Sequence, residues 1–192
     1  WGLYWFFGPE YRAENQLEAH RPVPPSFTGE ASTEMACVSS VVQGIHDRAY
    51  AHHIERLMVI GNFSLLTGVD PWALTEWMWA NFIDGAEWVM LPNVIGMALH
   101  ADGGRMATKP YAAGGAYINK MSDHCKGCRF NPKKRMGDDA CPFTSLYWDF
   151  LARNEHRLKG NARLGQQLAG MRRLADLGAT RERAAEVLVS LD

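Results

Sequence analysis

Between Glu34 and Leu66 no proline interrupts the chain, and His46, Tyr50, His53 and Leu57 recur at i, i+4, i+7 and i+11, the spacing of one helical face. The pattern predicts one long helix stopped at Gly68. Asp70-Pro71 then supplies an N-cap and a proline at the first helical position, opening a helix through Leu74, Trp77, Met78 and Asn81 that ends near Asp84-Gly85. A short apolar helix is predicted around Val89–His100, inside a long loop over 85–120 that is broken by Gly103-Gly104 and Gly114-Gly115. Cys125 to Cys141 reads as a compact knot, and Phe143–Lys159 as a helix. Leu164, Leu168, Met171 and Leu174 share a further helical face, Gly178 breaks it, and Thr180 caps a last helix buried through Ala184, Leu188 and Leu191. The first thirty-odd residues pair aromatics with Pro22, Pro24, Pro25 and a Thr28-Gly29 turn, which predicts a short aromatic segment and an extended loop. Strand alternation is almost absent, so the expected fold is all-α, one helical domain over 1–192.

Composition narrows the function without naming it. The chain carries 20 Lys+Arg against 21 Asp+Glu, a formal charge of −1, with 47% hydrophobic residues. That excludes wholesale disorder and a polycation held to nucleic acid by bulk charge, while leaving room for a local basic patch. The most apolar runs, Leu57–Val69 and Trp88–Leu99, are shorter than the roughly 18 residues of a membrane span. Trp1 opens a segment with no basic n-region and no small-residue cleavage site. The expectation is a cytoplasmic protein with no membrane partner, and a chain that is a processed form or a part of something longer.

All four cysteines fall in one arrangement, Cys37-x87-Cys125-x2-Cys128-x12-Cys141-Pro142. Two residues between Cys125 and Cys128 make a turn that aims both sulfurs at one centre. Four thiolates suit a cubane iron–sulfur cluster or tetrahedral zinc. A remote first ligand and the Cys-Pro ending favour the cluster; zinc and unligated thiols stay open at this point.

Four long stretches then carry a family resemblance: AYAHHIERLMVIGNF (49–63), WVMLPNVIGMALHADGG (88–104), ATKPYAAGGAYINKMSDHCKGCRFNPKKR (107–135) and DDACPFTSLYWDFL (138–151). Together they resemble the iron–sulfur bacterial cryptochrome/photolyase family, and the cysteines fall where that family's 4Fe–4S ligands would lie. The resemblance implies the C-terminal, helical, FAD-binding part of a two-domain photolyase, with the N-terminal α/β antenna domain outside the chain. Its implied activity is light-driven repair of (6-4) pyrimidine photoproducts in damaged DNA, by electron donation from excited reduced FAD to an extruded lesion. Two other readings are carried beside it: a blue-light-sensing cryptochrome without repair, and a non-enzymatic nucleic-acid-binding module resembling the iron–sulfur domain of the primase large subunit.

The resemblance also distributes roles. His53, with His52 second to it, is the expected proton donor at the lesion, because imidazole gives and regains protons near neutrality; the bland reading of either is a structural histidine. Tyr111 and Tyr117 are expected to border the lesion, and Lys109 and Lys120 beside them to meet phosphate. Asp84, otherwise a turn aspartate, is expected to accept from the flavin ring, with Met90 and Asn93 alongside. Trp77 is the expected redox relay if any tryptophan serves as more than core packing. From the basic run 129–135, Arg129 and Lys133 are candidates for DNA contact, against the plainer reading of a solvated face.

Overall fold

The computed structural model describes residues 1–191, and every regular element among them is helical. In chain order these are α1 (Gly2–Phe7), α2 (Pro25–Thr28), α3 (Ala36–Arg48), α4 (His53–Glu55), α5 (Asn62–Thr67), α6 (Pro71–Asn81), α7 (Glu87–Leu91), α8 (Gly115–Met121), α9 (Pro142–Arg153), α10 (Glu155–Leu158), α11 (Gly165–Arg172) and α12 (Leu177–Val189). Wide π-helical turns at Arg56–Gly61 and Pro92–Ala98 continue α4 into α5 and extend α7. Helix α9 lies at the centre, packed against α5, α8, α11 and α12. Its Phe143, Leu146 and Phe150, at i, i+3 and i+7, are sealed from solvent. Each such side chain contributes about 1.5–3 kcal/mol by leaving water.

The long helix expected from Glu34 to Leu66 is two helices. Ala49 takes the left-handed conformation (φ 50°) and closes α3 through its N–H to the Ile45 carbonyl at 2.7 Å, while its own carbonyl accepts from Ile83 N–H at 2.9 Å. The chain restarts at His52, where a reciprocal cap forms: Nδ1 accepts from Ile54 N–H (3.2 Å), and the Glu55 carboxylate accepts from His52 N–H (2.9 Å). The periodicity misleads here because Tyr50 and His53 are exposed, so the supposed buried face does not exist. At the other end, Gly178 does not break the chain; it lies inside α12, and Thr180 donates its hydroxyl back to the Asp176 carbonyl at 2.9 Å. Residues 115–121, expected as loop, form α8.

The second wide turn begins at Pro92, whose missing N–H cannot complete an ordinary helical ladder. It crosses the first wide turn closely, so that a Cβ on Gly61 would sit 2.9 Å from that of Ala98. Nearby, the buried Asp102 carboxylate accepts from Tyr11 Oη–H (2.8 Å), Gly104 N–H (2.9 Å) and Met106 N–H (2.8 Å), tying the N-terminal segment to the start of the 101–114 loop. Burial and the Asp102 bond push the Tyr11 phenol well above its ordinary range. Gly96 lets this node close, since a Cβ there would collide with the Tyr11 hydroxyl and Met106. A second carboxylate, the buried Asp149 of α9, accepts from Arg181 of α12 at 3.0 Å.

Two consequences are measurable. Gly96→Ala is expected to destabilise the fold by about 1–3 kcal/mol through overpacking, read as a lowered midpoint in denaturant unfolding; an unchanged midpoint would remove Gly96 from the Tyr11–Asp102 node. His100 is 4% exposed with φ 51°, its Nδ1 has no partner, and burial holds its pKa below the ordinary imidazole value. The unfolded chain therefore binds this proton more readily than the folded one, so stability present at neutral pH is lost as pH falls below about 6.5. Thermal unfolding of the parent and of His100→Asn, which tolerates positive φ, should show a smaller acid-side loss in the variant.

Candidate functional site

Four thiols meet at the base of the knot. Cys37 lies in the first turn of α3, Cys125 in the short turn His124–Lys126, Cys128 beyond it, and Cys141 at the N-cap of α9 with Pro142 at the first helical position. All four line one small, apolar pocket, walled by Met35, Ile118, Phe130 and Phe143, and none is in a disulfide. Burial, reinforced by the Cys141 thiol, pushes the Cys37 thiol up to about 12; burial likewise raises Cys141 to about 11 and lifts Cys125. Among the described residues no three His, Cys, Asp or Glu side chains converge tightly enough to grip a single metal ion. The soft four-sulfur donor set in an apolar pocket is nonetheless the type that holds iron–sulfur or zinc centres.

A second site forms where α3 ends and α4 begins. His52 lines a groove with Tyr117, Met58, Ile118, Met121 and His124, so the wide-turn helix and α8 present a histidine and a phenol to one hollow. The accepting role of Nδ1 in the cap leaves the neutral ring's proton on Nε2. His53, one residue on, is exposed and makes no side-chain hydrogen bond among the described residues. The structure brings His52 together with Tyr117; Tyr111, 38% exposed, lies on the 101–114 loop outside that groove.

The flavin candidates differ in burial. Asp84 does not cap a helix: its carboxylate accepts two bonds from Arg56, at 2.9 and 3.0 Å. Arg56 also donates Nε–H to the Ala51 carbonyl at 2.7 Å and lies over the rings of Phe82 (4.2 Å) and Tyr50 (4.9 Å). This arginine, overlooked in the sequence, organises the site; the signal that could have found it is Arg-x27-Asp linking the restart of one helix to the end of the next. Asn93 donates to the Val89 carbonyl at 2.8 Å, which leaves its own amide oxygen available, and Met90 is buried. Trp77 is 9% exposed and packs between Phe27 (5.3 Å) and Phe82 (6.4 Å).

The cationic candidates divide. Arg129 is paired with Glu34 at 2.6 Å and stacked on Phe130, whereas Lys109, Lys120 and Lys133 are exposed with no side-chain partner among the described residues. Their neighbours are also spoken for, Lys134 by Asp139 (2.7 Å) and Arg135 by Asp176 (2.8 Å).

Against known proteins, the chain is 50% identical over its whole length to a (6-4) photolyase of Agrobacterium fabrum, of which it matches 38%. It belongs to the photolyase/cryptochrome family. A second relative, an uncharacterized protein of Acanthamoeba polyphaga mimivirus, is 33% identical over 56% of this chain and 80% of its own length. No family model matches. The all-helical architecture is that of a photolyase C-terminal domain, and this photolyase-family chain spans well under half the length of the curated photolyase it resembles. No helix among the described residues is long and apolar enough to cross a membrane.

The Arg56 hub gives a direct test. Arg56→Lys keeps the charge but loses the planar stack on Phe82 and Tyr50 and the paired bonds to Asp84. Because Asp84 is half exposed, most of the expected loss of about 1–2 kcal/mol comes from the stack and the Ala51 bond. Asp84→Asn should cost clearly less in the same urea titration; equal losses would place the energy in the ion pair instead.

Proposed function

We propose that this chain is the C-terminal helical part of a cytoplasmic photolyase that uses light to repair (6-4) pyrimidine photoproducts in DNA, with FAD and a 4Fe–4S cluster as cofactors. Its partners are damaged DNA and the remaining N-terminal portion of the same protein. The observation that carries this reading is the 50% identity to a (6-4) photolyase over the whole length of the chain. Cys37, Cys125, Cys128 and Cys141 would hold the cluster. Asp84, Arg56 and Asn93 would hold the flavin ring, two as acceptors and one as donor, with Met90 packed alongside. Bound FAD supplies the light-excited electron that DNA repair needs.

The chain's own groups do the rest. The lesion must leave the helix to enter the groove, and the weakened pairing of a damaged base lowers that cost. His53 holds the proton given to the lesion and regains it afterwards; His52, second to it, would donate from Nε2 at the same end of the helix. Tyr117 contacts the extruded base within the groove and Tyr111 from the loop outside it, while Lys109, Lys120, Lys133 and Arg129 meet the phosphates, Arg129 by exchanging Glu34 for the backbone. Trp77, within the aromatic core beside Phe82, serves as a redox relay in this reading.

The assay is a visible spectrum with iron, sulfide and zinc analysis on anaerobically purified protein, repeated with added FAD, and then blue-light repair of an oligonucleotide bearing one (6-4) photoproduct. Brown, flavin-binding protein is expected, with His53→Ala retaining flavin and losing at least about a hundredfold in repair rate. Flavin photoreduction without repair would move the assignment to a signalling cryptochrome; colourless zinc protein indifferent to FAD would remove both cofactors.

A further inference from the structure

The loop 101–114, which carries Lys109 and Tyr111, has no regular structure of its own, and its backbone placement has to be supplied from outside. Its start is held by Asp102 and its middle by Asn161, which donates to the Thr108 carbonyl at 2.8 Å. Past Thr108 the next holds are at the far end, and they come from two side chains with no assigned part in the chemistry. Asn62 of α5, fully buried, pairs with both sides of Ala113: its amide donates to the Ala113 carbonyl (2.9 Å) and its oxygen accepts from Ala113 N–H (3.0 Å). Thr144 of α9 accepts from Gly115 N–H at 3.0 Å and donates its hydroxyl to the Pro132 carbonyl at 2.9 Å. One hydroxyl thus joins the loop's end, the cysteine knot and the central helix. The fit is tight, because a Cβ on Gly115 would stand 2.6 Å from the Cys141 sulfur and 3.1 Å from Thr144 Oγ1.

We propose that Asn62 and Thr144 are positioning residues that clamp the end of this loop, and so set where Tyr111 and Lys109 stand relative to bound DNA. The DNA side of this inference rests on the function proposed above; the clamp itself does not. Asn62 stands on the helix that begins at His53, and Thr144 stands three residues beyond Cys141, so the loop is tied at once to the helix of the candidate proton donor and to the cysteine pocket. Asparagine suits the first position because its amide offers a donor and an acceptor side by side to the N–H and C=O of one residue. A hydroxyl is needed at the second for the same reason, donating and accepting through a single atom.

The test uses the full chain, with Thr144→Val as the nearly isosteric loss of the hydroxyl, Thr144→Ser as its rescue and Asn62→Ala as an independent second loss. Amide hydrogen exchange over 109–115 is measured without DNA, with the amides of α6 and α12 as the folding control. Affinity is then measured for a duplex carrying one (6-4) photoproduct and for the same duplex undamaged. Thr144→Val is expected to speed exchange over 109–115 by about tenfold, and Thr144→Ser to restore it. The preference for damaged over undamaged duplex is expected to fall severalfold in Thr144→Val and return in Thr144→Ser. Unchanged exchange in both Thr144→Val and Asn62→Ala overturns the clamp. Faster exchange with lesion preference intact overturns the positioning role. A parent chain with no lesion preference at all overturns the DNA side together with the proposed function, while the exchange result still decides the clamp.

Discussion

Burial of α9 on every side is the constraint on which the rest of the molecule depends. Its apolar stripe of Phe143, Leu146 and Phe150 admits no water, so α5, α8, α11 and α12 must each present a complementary face. Polar groups carried into that setting are satisfied by partners from other helices, as Asp149 is by Arg181, or by the helix's own backbone, as Ser145 is by the Cys141 carbonyl. The same helix begins at Cys141 and Pro142, so the geometry that packs the core also sets one wall of the cysteine cavity. Core and cavity are one structure.

Several candidate site residues lie where helices end rather than along their faces. His52 caps a restart, Asp84 follows the end of α6, and Cys141 caps α9. Helix ends leave backbone groups to be satisfied, and the side chains recruited for that purpose are held in defined orientations at the surface. His52 shows the consequence, since its role in the cap decides which ring nitrogen bears the proton. Arg56 shows another: a single guanidinium flat on two rings fixes Asp84 at the edge of the site.

Much of this was legible in the chain. The all-α class, the helix opened by Asp70-Pro71 and the apolar helix near Val89–His100 rest on local rules of capping and periodicity, and the structure bears them out; the four cysteines, grouped by their spacing, line one pocket. What misled was periodicity without burial. His46, Tyr50, His53 and Leu57 repeat at helical spacing, yet the helix breaks at Ala49, because the Ile83 amide and the His52 cap compete for that backbone. Gly178 was read as a breaker, but a glycine in a helix costs only about 1 kcal/mol, which the packing of α12 on α9 outweighs.

By itself, then, the sequence determined the all-helical class and several of its helices, which four sulfurs are available as a donor set, and the family to which the chain belongs. Only the tertiary structure decided that Arg56 reaches Asp84 across 28 positions, that Asn62 grips Ala113 across 51, and that His52 and Tyr117 open onto one groove. The physical reason is range. Capping and periodicity act within a few residues and are written in the local sequence, whereas which buried amide or cation meets which distant carbonyl is settled only when the helices pack and each polar group must find a partner out of water.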